Sequence, residues 1–144
     1  MRLTAHFSID VDFPEAANAP PEVVERLRLL CEETLEPLRV YLGRPVSVTS
    51  GWSASKVHVP DSQHGRGEAA DVVARAWRDR PALTSAQLCR ALIASAARWD
   101  QAIWYDAPDG HVHVSFTRRH ALRGEVLHRL PGGYERRDPP IVVG

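Results

Sequence analysis

A chain of 144 residues is the size of one ordinary domain and is long enough to bury a core without disulfide bonds. Lysine plus arginine and aspartate plus glutamate number 18 each, so the chain lacks the overall basic field that drives nucleic-acid binding. No apolar run approaches the roughly 20 residues that cross a bilayer, so we expect neither a membrane span nor a nucleic-acid partner.

The first half of the chain predicts one long helix followed by a strand. Apolar residues recur every three or four positions from Val23 to Leu42, which places them on one helical face against a core. Pro37 falls inside this pattern, and we expect a kink or a restart near Glu36. Residues 46–50 alternate and contain β-branched side chains, which favours a strand.

The second half predicts a long loop, two strands that form a hairpin, and a second helix. Residues 51–68 contain glycine, serine and proline without a period, and unstructured loops of this length are usually functional or disordered. Ser85 is the predicted cap of a helix that runs to Arg98. Strands are predicted at 69–74, 102–105 and 111–116, with turn residues between the last two.

These elements predict a single domain over residues 1–130 and an irregular tail over 131–144, where three prolines and three glycines occur. Cys31 and Cys89 lie in predicted helices and match no metal-binding spacing, which favours buried, idle thiols over a disulfide. We expect the core to contain Trp99 and Trp104.

Three residues carry the strongest chemical signal. Asp71 lies in the apolar run 69–73, where a buried carboxylate needs a cation or several donors. A salt bridge to Arg66 or Arg75 could compensate this charge, but His64 and His113 offer a metal site. Catalytic zinc sites take three protein ligands from histidine, aspartate, glutamate or cysteine, and His64, Asp71 and His113 fill that need.

The remaining histidines divide into one candidate for the site and four expected on the surface. His111 and His113 are two residues apart in a predicted strand, so both side chains project from one face. They are either a metal ligand with a neighbouring donor or a pair of solvent-facing histidines. The four with a surface role as the default are His6, His58, His120 and His128, of which His58 could border the cleft.

The stretch from Ser62 to Asp71 resembles a hallmark of the zinc D-alanyl-D-alanine carboxypeptidases and related peptidoglycan peptidases. That hallmark is Ser-x-His-x-x-Gly-x-Ala-x-Asp, and every fixed position matches. The sequence Val-His-Val-Ser at 112–115 resembles the second hallmark, and the likeness covers about residues 3–116. The resemblance implies an α+β fold, with helices on one side of a small antiparallel sheet and zinc held by His64, Asp71 and His113 at the sheet and its loops.

Two positions depart from this family. Its members commonly carry a substrate-binding arginine where this chain has Ser53, and an acidic general base where it has Gly110. Asp109 is our candidate base and His111 our candidate for transition-state stabilisation. Candidate substrate-binding residues are Ser62, Arg66, Trp52 and His58.

The resemblance implies a Zn²⁺-dependent peptidase that hydrolyses an amide bond in peptidoglycan stem peptides or cross-bridges. The alternative is a zinc-binding module that binds a cell-wall peptide or another ligand without hydrolysis, as hedgehog signalling domains of similar architecture illustrate. The amino terminus has no apolar run typical of a signal peptide. We therefore expect a protein that is cytoplasmic as synthesised and that is either delivered to the cell wall, as by a phage lysis system, or acts as a cytoplasmic recycling enzyme.

Overall fold

The computed structural model describes residues 1–57, 59, 62–106 and 110–141, which form an α+β fold around one six-stranded sheet. A π-helical segment, Cys31–Leu35, joins the second and third helices, and short 3₁₀ turns occur at Pro14–Ala16 and Ala54–Lys56. The helices are α1 (Ile9–Asp12), α2 (Pro21–Leu30), α3 (Glu36–Leu42), α4 (Gln63–Arg66) and α5 (Ser85–Ala94). The strands are β1 (Ser47–Ser50), β2 (Ala69–Val73), β3 (Gln101–Trp104), β4 (Val112–Ser115), β5 (Glu125–Leu130) and β6 (Gly133–Arg136).

The sheet has the strand order β1-β2-β4-β3-β5-β6. All neighbouring strands are antiparallel except β3 and β5, which are parallel. The predicted hairpin is present as β3 and β4, and the predicted strands at 46–50 and 69–74 are present as β1 and β2. The long segment between β1 and β2 was predicted as a loop and contains the short helix α4.

The two faces of the sheet have different chemistry. Because side chains alternate along a strand, one face carries the apolar residues that join the helices in the core. These core residues are Ala70, Val72, Ala102, Trp104, Val112 and Val114. The opposite face carries Gln101, Asp71, His113 and Ser115, so the polar residues of three central strands share one surface.

The long amino-terminal helix is interrupted just before Pro37, as the sequence predicted. Proline has no N–H, so the carbonyl of Glu33 loses the partner that an unbroken helix would provide. The chain widens into the π turn of Cys31–Leu35, and the backbone N–H of Arg98 donates to that Glu33 carbonyl at 2.8 Å. The hydroxyl of Thr34 donates back to the Arg98 carbonyl at 2.6 Å. The interruption therefore ties the helical layer to the segment that enters β3.

The second predicted helix has a different N-cap from the one expected, and it ends at Ala94 instead of Arg98. Thr84, not Ser85, is the N-cap of α5: its hydroxyl accepts from Gln87 N–H and the Gln87 side chain accepts from Thr84 N–H. The buried Ser85 hydroxyl donates to the His111 carbonyl at 2.6 Å and accepts from the Tyr105 N–H at 2.9 Å. Ser85 therefore joins the two ends of the β3–β4 hairpin.

The carboxyl-terminal segment is more ordered than the sequence predicted. Gly133–Arg136 forms β6, whereas residues 131–144 were expected to be irregular. β6 follows β5 directly and pairs with it, so the expected domain limit at residue 130 falls inside a hairpin. The pattern of glycines at 132–133 is turn chemistry between two strands.

His128 of β5 is buried, which corrects the expected surface role. Its ring stacks on Trp104 with centroids 3.8 Å apart and planes 10° from parallel. Its Nε2 lies 3.0 Å from an Asp106 carboxylate oxygen and its Nδ1 lies 3.3 Å from Glu135. Two carboxylates from separate segments thus satisfy this buried histidine.

The two cysteines are free and buried, as expected. Burial raises the pKa of both thiols, that of Cys89 to about 12, so both remain protonated and unreactive at neutral pH. Among the described helices, none is long and apolar enough to cross a membrane.

Gly110 precedes β4 and takes a conformation that other residues avoid. Its φ is +71°, in the left-handed region, and a Cβ there would lie 2.5 Å from the Leu83 carbonyl oxygen. The backbone therefore excludes a side chain from the position at which the resembling peptidases carry their acidic base. The contact with Leu83 therefore explains why this chain has glycine, and not an acidic residue, at position 110.

The Gly110→Ala variant is expected to lose about 2–4 kcal/mol of unfolding free energy, from backbone strain plus the backbone clash. Gly124→Ala is the matched control, because Gly124 also has positive φ, at +58°, but open space where Cβ would lie. Chemical denaturation of both variants measures the difference. Equal destabilisation would show that the clash with Leu83 contributes nothing.

Candidate metal centre

The three predicted metal ligands come from three elements that meet on the polar face of the sheet. Asp71 of β2 and His113 of β4 are directly paired across the antiparallel ladder. His64 lies in α4, whose N-cap Ser62 accepts from the Gly65 N–H at 3.1 Å. The pairing of β2 with β4 and the short helix therefore bring together side chains that lie up to 49 positions apart in sequence.

The side-chain atoms of these residues converge closely enough to hold a metal ion. His113 Nδ1 lies 3.0 Å and His64 Nε2 lies 3.5 Å from the same oxygen of Asp71. The three ligand atoms all lie within 4.8 Å of one another. Tetrahedral zinc with bonds of about 2.0–2.2 Å holds its ligand atoms roughly 3.4 Å apart. The donor set and its spacing are therefore compatible with zinc.

Neighbouring groups orient both imidazoles. His64 Nδ1 donates to the Gly51 carbonyl at 3.0 Å, which directs Nε2 toward Asp71. His113 Nε2 donates to the Gln63 side-chain oxygen at 2.7 Å, which leaves Nδ1 as the atom that faces Asp71. Hydrogen bonds of this kind fix the tautomer and the orientation of histidines that bind metals.

Gly51 and Gln63 were not predicted, and local spacing alone gave no sign of their roles. Gly51 follows β1 just after the register of β1 and β2 shifts between Val48 and Ser50, and such bulges redirect the chain. Gln63 lies next to His64 in α4 and contacts His113 of β4. The position of Gln63 inside the Ser62–Asp71 motif is the sequence feature that could have identified it as a site residue.

The charge of Asp71 is compensated by histidines and not by an arginine. Burial would raise the pKa of the Asp71 carboxyl, but hydrogen bonds and charge from His113 and His64 hold it well below its ordinary value. Burial would lower the pKa of His64, yet Asp71 and the Gly51 carbonyl raise it. The alternative salt bridge from Arg66 is absent from the described contacts of Asp71, because Arg66 binds Glu68 at 2.6 Å.

A cleft of about 740 Å³ opens on His64 and His113. Of the predicted substrate-binding residues, Ser62 and Arg66 line it. Residues that the sequence analysis missed form its other wall: Asp100, Gln101, Arg119, His120 and Arg123. Arg123 binds both carboxylate oxygens of the buried Asp100, at 3.1 and 2.8 Å. Asp100 and Arg123 are more than 20 residues apart in the sequence, so no local sequence pattern predicts this pair.

His111 lies on the other side of the metal ligands. It lines a second cavity of about 460 Å³, together with Asp71, Thr49 and Arg75. Its ring contacts that of Tyr105, with centroids 4.2 Å apart. Asp71 therefore borders the cavity that His111 lines, whereas His64 and His113 border the cleft.

The remaining predicted site residues are not brought to the cleft in the described part of the chain. Trp52 is only 8% exposed and lines a separate cavity of about 190 Å³ beside Phe13, which differs from the expected place in a substrate groove. His58 and Asp109 lie outside the described residues. The Asp106 carboxylate is engaged with His128.

Gly65 lies where the backbone of α4 packs closely against an earlier segment. A Cβ on Gly65 would lie 2.3 Å from the carbonyl oxygen of Lys56. The absence of a side chain therefore lets α4 lie against the preceding 3₁₀ turn, and this contact fixes the position of His64.

The comparisons with known proteins point to one relative. No protein-family model matches the chain. The chain is 25% identical over 135 residues to the Indian hedgehog B protein of Danio rerio. The match covers 90% of this chain and 31% of that protein, so the chain spans about a third of its relative's length. The similarity agrees with the hedgehog-like side of the resemblance, and the carboxypeptidase assignment stays a prediction.

The geometry predicts one metal site per chain. His64→Ala and His113→Ala are expected to weaken zinc binding by at least about 100-fold, and Gln63→Ala by about 10-fold, because Gln63 only orients a ligand. Competition with a chromogenic chelator measures these affinities. His120→Ala is the control, since His120 lines the same cleft without joining the ligand group. Unchanged zinc affinity in His113→Ala would contradict the assignment.

A second prediction concerns Glu68, which is 3% exposed and binds Arg66, Arg119 and Thr117. Burial would raise its pKa, but the Thr117 hydroxyl and the two guanidinium groups lower it below 4.5. A lowered pKa adds stability that is present above pH 4.5 and is lost as the pH falls through the folded-state value.

Glu68→Gln is therefore expected to lose about 2 kcal/mol of unfolding free energy at pH 7 and to flatten the decline of stability below pH 4.5. Urea denaturation at several pH values measures both effects. Glu32→Gln changes an exposed carboxylate and is expected to match the wild type at pH 7. An unchanged acid profile in Glu68→Gln would contradict the interpretation.

Proposed function

We propose that this protein is a zinc-dependent peptidase that hydrolyses an amide bond in peptidoglycan stem peptides or cross-bridges. The observation that carries the proposal is the convergence of His64, Asp71 and His113, with both histidines on the wall of an open cleft. Three protein ligands beside a cleft are typical of catalytic zinc sites, which keep a position for water or substrate. The ten-residue motif at Ser62–Asp71 supports the assignment to peptidoglycan peptidases.

His64, Asp71 and His113 would hold the zinc ion, which would supply Lewis acidity and lower the pKa of water toward about 7. The chain's own groups provide orientation. Gly51 and Gln63 hold the two imidazoles, and the Asp71 carboxylate stays ionised at neutral pH. His111 borders the cavity on the far side of Asp71, where an imidazole could stabilise a developing negative charge.

We propose that Asp109 acts as the general base. Gly110 cannot carry this role, because the backbone excludes a side chain there. Asp109 lies one residue earlier in the sequence. Removing a proton-transfer group typically costs 10²- to 10⁴-fold in rate, so the identity of the base decides how active the protein is.

A second candidate function is a zinc-binding module that binds a cell-wall peptide without hydrolysis. The backbone at Gly110 favours it, because the acid found there in the resembling peptidases cannot be accommodated. The similarity to a hedgehog protein is compatible with this reading. For either function the protein must reach the wall, and we propose release by a phage lysis system.

Mass spectrometry of peptidoglycan and defined stem peptides, after incubation with zinc-loaded protein, tests the proposal. Fragments that disappear when a chelator is added would support the peptidase and identify the bond from their masses. One tightly bound zinc without fragments from any substrate would favour the binding module.

Variants at the two neighbouring histidines separate their roles. His113→Ala is expected to lose both zinc and activity, whereas His111→Ala is expected to lose about 10²-fold or more in rate with zinc retained. His6→Ala is the control, because His6 is exposed and pairs with Glu36 on the helical side. Hydrolysis by zinc-free His113→Ala would contradict the mechanism.

A further inference from the structure

Two arginines converge on one buried carboxylate at the edge of the cleft. Arg66 Nε donates to Glu68 at 2.6 Å, and Arg119 Nε donates to the same oxygen at 3.1 Å. The other Glu68 oxygen accepts from the Thr117 hydroxyl at 2.6 Å. Glu68 is 3% exposed, whereas both arginines line the cleft that holds His64 and His113. The buried Glu68 carboxylate thus lies beneath two partly exposed guanidinium groups.

The charges at this place do not balance. Two guanidinium groups share one carboxylate, which leaves one unit of positive charge. The nearby Arg123 does not change this sum, because Asp100 binds it through both oxygens as a separate neutral pair. The cleft wall therefore has an excess charge that fits a single anionic group.

The donors that remain are suited to a planar anion. Arg66 and Arg119 contact Glu68 through Nε, and within the described residues their Nη groups form no hydrogen bond to the protein. Guanidinium groups match the geometry of carboxylates and donate strong, charge-assisted hydrogen bonds. The Arg26 side chain donates to the Arg66 carbonyl at 3.1 Å, which fixes the backbone of this arginine.

We propose that Arg66 and Arg119 form a carboxylate-binding subsite of the cleft, with Glu68 as the residue that positions them. This inference rests on the proposed function, because it names a group that the peptide substrate carries. The subsite would replace an arginine at position 53, from a different part of the fold. The carboxylate belongs either to the peptide terminus or to an acidic side chain.

Titration of the zinc-free, full chain with three peptides, followed by NMR chemical shifts, tests the subsite without requiring hydrolysis. The probes are N-acetyl-D-alanyl-D-alanine, its carboxyl-terminal amide, and N-acetyl-D-alanyl-D-glutamic acid α-amide. At least one probe with a carboxylate is expected to bind about 10-fold more tightly than the alanyl amide, the size of one charge-assisted hydrogen bond. Tight binding of the first probe assigns the terminus, and tight binding of the third assigns a side chain.

Variants establish which residues recognise the carboxylate. Arg66→Ala and Arg119→Ala are expected to reduce the acid-to-amide ratio to about 1, with the affinity for the amide unchanged. Arg118→Ala is the matched control, because Arg118 is adjacent in sequence but lies over Phe116 and lines a different cavity.

Arg119→Lys covers the case in which removing the arginine prevents folding. It keeps a positive charge beside Glu68 but loses the planar pair of donors, so the ratio is expected to fall several-fold. Equal binding of acid and amide by the wild type, or an unchanged ratio in both arginine variants, would overturn the subsite. A preserved ratio in a protein that hydrolyses nothing would leave the subsite standing and reject the peptidase.

Discussion

The charge of Asp71 on an otherwise apolar strand is the constraint on which the candidate site depends. Ala70 and Val72 turn toward the core, so Asp71 must point to the opposite face of the sheet. The antiparallel register then places His113 directly across from it. A slip of one residue would move both side chains into the core, where their charge and polarity would be costly. The apolar core thereby fixes the polar site.

Hydrogen bonds from two further residues orient the histidines beside Asp71. Gly51 and Gln63 hold the histidines, and each comes from a segment whose own position depends on a local feature of the backbone. The bulge beside Val48 precedes Gly51, and the contact of Gly65 with Lys56 fixes α4. Small irregularities in the chain therefore determine where the ligand atoms meet.

The sequence predicted what depends on local pattern and chemistry. The interruption at Pro37, the β3–β4 hairpin and the convergence of His64, Asp71 and His113 followed from periodicity, turn residues and donor types. Glu68 with Arg119, and His128 with Glu135, could not be predicted in this way. Their partners come from other segments, and a single sequence carries no signal for such pairs. The β6 strand was missed because the glycines and prolines around it resemble an irregular tail.

The ends of the sheet have a consequence for how this protein behaves at high concentration. An edge strand exposes unpaired backbone groups that can recruit another chain. Here both edges are only four residues long: β1 has an irregular register, and β6 ends in two charged residues, Glu135 and Arg136. Short, irregular and charged edges are poor templates for strand addition. The fold therefore resists edge-to-edge aggregation.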